Sequence, residues 1–183
     1  TTATKASRFM KREKPRGALR FAGLFLVMLV AAFGGYQSLT HPETPLPEAW
    51  NPIEPLRITD AFTPVTEWKM TRALASPALC RAALATGAEA EQMPDLEESA
   101  VCHIRNRVRL SAVGDVRMKP VETTCNTALR LAMWVEHGVQ PAATRHLGGP
   151  VKELRHFSSY NCRQMRTGTG ETGRMSTHAT ASS

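Results

Sequence analysis

The sequence predicts an α+β domain held outside a membrane by one N-terminal helix. Three observations predict it. Residues 21 to 36 carry no charge. The apolar spacing beyond residue 65 changes from three-and-four to two and back, which is a mixture of helices and strands. All four cysteines lie beyond the apolar segment, as expected of an exported, disulfide-bonded domain. The 183 residues allow one domain plus attachments.

Residues 1–16 read as a basic cytoplasmic tail. Lys5, Arg8, Lys11, Arg12, Lys14, Arg16 and Arg20 stand against Glu13 alone in the first 20 residues, so this end holds six of the net +7. The rest of the chain is nearly neutral and lacks the footprint that phosphate binding needs, which excludes a nucleic-acid partner. Residues 17–37 read as a transmembrane helix in contact with lipid. Its apolar side chains surround the axis with no polar stripe, unlike a core helix. Phe21 to Tyr36 spans about 24 Å as a helix, and counting Gly17 to Gln37, with Arg20 snorkelling, reaches the roughly 30 Å of a bilayer core. The cation excess places the N-terminus in the cytoplasm. A cleaved signal peptide has the same order of regions, but no clear Ala-x-Ala site follows.

Residues 38–64 read as a linker, punctuated by Pro42, Pro45, Pro47, Pro52, Pro55 and Pro64. Proline at that density blocks helix and ladder hydrogen bonds and predicts an extended spacer. Packing of Trp50, Ile53, Leu56 and Ile58 onto the domain is the competing expectation for parts of it.

The domain is expected over 65–183. A helix over Thr66–Leu74 would place Trp68 and Leu74 inside. Ser76-Pro77 reads as an N-cap and first helical residue of a helix running to Thr86, with Gly87 as its stop and Cys80, Ala83 and Leu84 on its apolar face. Residues 88–100 read as an acidic, solvated loop. From Val101 the period is two: Cys102, Ile104, Val108 and Leu110 share one face, and His103, Arg105, Arg107 and Arg109 the other, with Asn106 as a break or bulge. Thr123 or Thr124 caps a helix marked by Cys125, Ala128, Leu129, Ala132, Met133 and Glu136 and ended by Gly138, where His137 complements the helix dipole. Pro141 opens a short helix ending at Gly148-Gly149. Val151 to Phe157 reads as a strand, and 167–173, with three glycines, as a flexible stretch.

Four cysteines allow three pairings, and the sequence does not choose among them. The preferred pairing is Cys80 with Cys102 and Cys125 with Cys162, the second tying a helix start to the Ser159-Tyr160-Asn161-Cys162-Arg163 loop. No Cys-x-x-Cys pair supports zinc-ribbon or thioredoxin chemistry.

Three blocks carry a resemblance: Thr124-Cys125-Asn126-Thr127-Ala128, then Ser159-Tyr160-Asn161-Cys162-Arg163, then Ser176-Thr177-His178-Ala179-Thr180-Ala181-Ser182-Ser183. In that order, over roughly residues 62–183, they resemble the bacterial extensin-like family, which is similar in turn to the lysostaphin, D-Ala-D-Ala carboxypeptidase and Hedgehog group of zinc peptidases. The shared signature is Ser-x-His with an Asp seven positions after the His. Ser176 and His178 match it. Thr177 stands where the extensin-like variant has Glu, and Ser183 where it has Ala. The Asp would fall two positions past Ser183, so the resemblance implies that the 183 residues stop inside the motif.

What the resemblance implies follows residue by residue. His178 would be a zinc ligand in the complete protein, and Ser176 would shape its turn. Apart from the resemblance, guanidinium geometry suits Arg163 to bind a carboxylate or polarise a carbonyl, and His156 is a candidate for acid–base help, although a strand-end histidine is more often exposed or packed. No bound metal is expected in these residues alone, since one imidazole holds zinc weakly. The domain would be periplasmic, on a single-pass anchor in the bacterial inner membrane, acting on or binding peptidoglycan. The alternative is a non-catalytic accessory subunit of an inner-membrane complex, with Gly17, Gly23, Gly34 and Gly35 as close-approach surfaces for neighbouring helices and the domain as a periplasmic cap.

Overall fold

A computed structural model describes residues 16–41, 43–44, 46–168 and 170–182. The tail up to Pro15, together with Pro42, Pro45, Thr169 and Ser183, lies outside the described residues. The chain divides into two units, Thr1–Pro45 and Leu46–Ser183.

The first unit holds helix α1 (Arg16–Thr40). Its stretch Arg20–Thr40, 21 residues of mean hydropathy 1.6, is long and apolar enough to cross a membrane. At 1.5 Å per residue that stretch spans about 31 Å. The helix extends past the predicted end because the hydroxyls of Ser38 and Thr40 bond back to Gly34 O (2.8 Å) and Tyr36 O (2.9 Å). Every residue from Arg20 to Ser38 is exposed.

The second unit is a mixed α+β domain, and it begins well before residue 65. From Leu46 the chain is a strap packed against the domain rather than an extended spacer. Asn51, Leu56, Ile58 and Thr63 are buried, and a 3-10 turn covers Glu48–Trp50. Prolines fix φ without preventing burial. Side chains supply the bonds that proline-rich backbone cannot: Thr63 Oγ1 donates to Ala49 O (2.9 Å), and Ile58 N to Thr86 Oγ1 (2.8 Å).

Helix α2 (Thr66–Ala75) packs Leu74 partly against the core, as predicted, but not Trp68. Lys69 and Ala73 are buried, whereas Trp68 is half exposed and stacks under the Arg72 guanidinium at 4.6 Å. The strap explains this: its carbonyls need donors. Lys69 Nζ donates to Glu48 O (2.6 Å) and Arg72 Nη1 to Pro52 O (2.9 Å). Desolvation pulls the Lys69 pKa below its ordinary value, opposed by the charges of Asp60, Glu54 and Glu48.

Helix α3 (Pro77–Leu84) starts as predicted, with Ser76 Oγ accepting from Leu79 N, and Cys80, Ala83 and Leu84 are buried on one face. Gly87 has a stronger reason than ending a helix: a Cβ there would lie 2.9 Å from Ile58 Cβ. Residues 88–100 are not a loop. They form β1 (Ala88–Gln92) and β2 (Leu96–Ser99). The alternating run is broken at Asn106 into two strands, one of the expected outcomes, β3 (Cys102–Ile104) and β4 (Arg107–Val113), with Asn106 between them at φ 48°. A two-residue turn with Gly114 at φ 52° leads to β5 (Val116–Thr124).

Helix α4 (Cys125–Trp134) is capped by Thr124, whose Oγ1 accepts from Thr127 N (3.1 Å). Gly138 does not end it. The chain passes through a π turn (Val135–Val139) into α5 (Gln140–Leu147), which closes at left-handed Gly148. His137 lies within this turn, where its Nε2 meets Ile58 O at 2.9 Å, so it holds the strap rather than a helix end. Only Glu153–Leu154 of the predicted 151–157 strand pairs; it is β6. The glycine-containing stretch joins β7 (Gln164–Thr167) to β8 (Gly170–Met175) as an antiparallel hairpin.

The main sheet runs β1-β4-β5-β6, with β5 and β6 parallel and the other pairs antiparallel. Parallel neighbours need a crossover, and α4 to α5 supplies it. Helices α3 and α4 join Ile58, Val108, Leu110 and Val113 in the core, where Leu129 and Ala132 are fully buried. The disulfides follow this packing. They join Cys80 to Cys125 and Cys102 to Cys162, not the preferred Cys80–Cys102 and Cys125–Cys162. Helices α3 and α4 lie together in the core, so Cys80 meets the first residue of α4. Strand β3 pairs in a separate two-stranded sheet with β2, so Cys102 is left facing the 160s loop.

Candidate functional site

A cavity of about 580 Å³ opens between β5, α4, β6 and the segment after β6. Its floor is apolar: Met118, Val121, Leu131 and Leu154. His156 and His178, predicted from separate parts of the chain, both line it.

His178 sits in a short 3-10 turn (Thr177–Thr180). Ser176 caps this turn, its Oγ accepting from His178 N (3.3 Å), which is the turn-shaping role expected of it. Asn161 N donates to His178 O (2.9 Å), and Ser176 N to Arg163 O (3.0 Å). The loop with the Tyr-Asn-Cys-Arg block therefore runs alongside the histidine turn, and the Cys102–Cys162 bridge anchors it to β3. His178 Nδ1 is 3.1 Å from Ser159 O. A carbonyl oxygen only accepts, so Nδ1 carries a proton and donates to it.

His156 donates from the other ring nitrogen by the same logic. Its Nε2 is 2.6 Å from Lys119 O. Its Nδ1 is buried without a hydrogen-bond partner among the described residues. Backbone carbonyls thus orient both rings. Arg163 does not join them. Its side chain is exposed, with Nη1 3.3 Å from Gln164 O, and it does not line the cavity.

Several residues of the site carried no signal of their own. Thr123 and Thr127 both donate to Ala181 O (3.0 and 3.1 Å), which seats the turn after His178 against β5 and α4. Ser159 Oγ donates to Glu122 O. The Glu122 side chain is held by Arg107 and Arg109. Hydrogen bonds from Arg107 first, then Arg109, hold its carboxyl below the ordinary 4.5. The predicted arginine face of β4 is thus partly neutralised by β5, and the loop that bears Ser159 rests on the backbone of the same residue.

The match with known proteins accords with this geometry. Residues 78–183, more than half of the chain, match the family described as Extensin-like protein C-terminus. The chain belongs to the extensin-like family. No curated protein and no solved structure matches it. The match covers α3 and everything after it, and so includes both histidines and both disulfides of the extensin-like domain.

The donor set can be tested against the zinc that the peptidase resemblance implies. A catalytic zinc takes three protein ligands. Among the described residues no group of three or more His, Cys, Asp or Glu is placed to hold a metal ion, and the four cysteines of the domain are spent in disulfides. The described residues do not fit such a centre, and no hydrolytic step is derived through it.

Proposed function

We propose that this extensin-like protein is a membrane-tethered, extracytoplasmic module that binds the peptide part of the cell wall in the histidine cavity. The observation that carries this reading is the pair of histidine rings on one apolar-floored hollow, each oriented by a backbone carbonyl. A peptide brings apolar side chains to such a floor and polar main-chain groups to its rim. Two disulfides suit an oxidising compartment. Helix α1, with its basic N-terminal flank, suits a single-pass anchor in the inner membrane with the domain in the periplasm.

Zinc-peptidase-like amide hydrolysis is the second reading, favoured by one geometric detail. A metal-bound imidazole commonly donates its other N–H to a carbonyl, as His178 does to Ser159. A non-catalytic accessory subunit is the third, favoured by the exposed surface of α1, where nothing lies within 4 Å of a Cβ built at Gly23, Gly34 or Gly35.

One set of measurements on the detergent-solubilised chain separates them: binding to purified peptidoglycan, zinc content, and release of amines from murein peptides. Wall binding without cleavage, lost in His178→Ala, supports the proposed module. Zinc-dependent cleavage lost in the same variant would replace it with the hydrolase. A stoichiometric membrane partner held through size exclusion, with no affinity for wall, would replace it with the subunit.

A further inference from the structure

We infer that the wall-ligand site continues into a second hollow that takes the free carboxylate of the bound peptide. This rests on the reading of the histidine cavity as a ligand site. The second hollow is about 770 Å³ and shares Thr127 and Leu131 of α4 with the first. Its charged lining is Arg105 and Arg130, and no Asp or Glu lines it.

Neither arginine forms an ion pair among the described residues. Arg107 and Arg109, by contrast, close on Glu122. Arg105 also borders a smaller hollow with Glu97 and Glu98, which makes Arg130 the cleaner probe. The two come from different elements but are held in register. Arg105 stands in the β3–β4 turn beside left-handed Asn106, and Asn106 O accepts from Cys125 N (2.9 Å) at the start of the helix that bears Arg130. Asn126 places one amide N–H on Leu74 O (3.1 Å), and the positive charge of the hollow comes from the two guanidinium groups.

The planar guanidinium fork matches a carboxylate. The neighbouring hollow has an apolar floor and two histidine rings on its wall. A peptide end supplies both halves of that pattern, an apolar amide-bearing chain and a terminal carboxylate, whereas a free phosphate supplies only the anion.

The test titrates the full chain in mild detergent with fluorescently tagged tri-alanine, either as the free acid or as its carboxamide. The acid is expected to bind about tenfold more tightly, the size of one charge-assisted contact. Arg130→Gln should erase most of that ratio without changing carboxamide affinity, and Arg105→Gln should do so in part. His178→Ala should weaken both probes alike. Equal binding of acid and amide, or a ratio unchanged in Arg130→Gln, overturns the carboxylate subsite and leaves the histidine cavity standing. Probes indifferent to His178→Ala overturn the cavity reading itself, and binding of neither probe overturns both. Displacement of the acid by inorganic phosphate at far lower concentration than by acetate would overturn the assignment to a peptide.

Discussion

Glu122 shows how one side chain serves both the sheet and the site. Its carboxylate accepts from Arg107 and Arg109 on β4, while its carbonyl accepts from Ser159 in the loop that orients His178. Its folded pKa lies below the ordinary 4.5, so the folded state binds this proton less readily than the unfolded chain does. The stabilisation is therefore complete above 4.5 and is lost as pH falls through the lower folded value. Glu122→Gln should cost about 1 kcal/mol at pH 7, since the network is partly exposed. In urea midpoints measured across pH, the gap between variant and parent should narrow as pH falls below 4.5 and close once the lower folded value is passed. Ala181 is a second such point. It is buried at φ 48°, and its carbonyl receives Thr123 and Thr127. A branched Cβ is strained in the left-handed region and has no room here. Ala181→Val should destabilise by about 3 kcal/mol, whereas Ala181→Gly should stay within about 1 kcal/mol. Equal thermal shifts in the two variants would refute the conformational argument.

At the level of elements, the sequence could be read where local chemistry decides and misled where packing does. The caps at Ser76 and Thr124 are local, side-chain oxygen to backbone N–H, and both form as read. The β1 strand was hidden by composition. Ala88-Glu89-Ala90-Glu91 alternates in period two, but Ala and Glu favour helix or solvent, and only pairing with β4 makes the run a strand. Gly138 failed as a helix stop because a π turn absorbs it and the path continues through α5. Trp68 faces outward because the strap's carbonyls claim the inner face of α2 for Lys69, a demand that lies some twenty residues away in the chain. Site residues divide in the same way. His178 and Ser176 were readable from a compact motif, whereas the seating of Ala181 by Thr123 and Thr127 needs the fold. The disulfides were misassigned because spacing says nothing of which elements stack. Their placement now sets their chemistry. Cys80 and Cys125 are both buried, whereas Cys162 is exposed. Dithiothreitol should therefore open Cys102–Cys162 first, as read by timed alkylation and peptide mass. Replacing Cys102 and Cys162 together by Ala removes a crosslink between positions 60 apart, worth up to about 4 kcal/mol in the chain-entropy picture. It should also weaken wall binding more than the matching Cys80 and Cys125 replacement, because it frees the loop that holds His178.

For the molecule as a whole, the boundary between tether and domain decides what is tethered. The family match begins at residue 78, yet the compact unit begins at Leu46. The intervening strap is integral to the core. Leu56 and Ile58 are buried there, each worth roughly 1.5–3 kcal/mol. Ile58 also bonds Thr86 through its N–H and His137 through its carbonyl, and packs on the bare face of Gly87. Together these contacts rival the 5–15 kcal/mol by which a domain is normally stable. A chain starting at Leu46 should therefore unfold in a single transition within about 1 kcal/mol of its stability in the longer chain. One starting at Val65 should lose that transition, because removing the strap uncovers Gly87 and leaves the Lys69 ammonium buried without the carbonyl of Glu48. Calorimetry on the two shortened chains decides the point. If the Val65 chain melts cooperatively at an unchanged temperature, the strap is a passenger and the domain begins near residue 65.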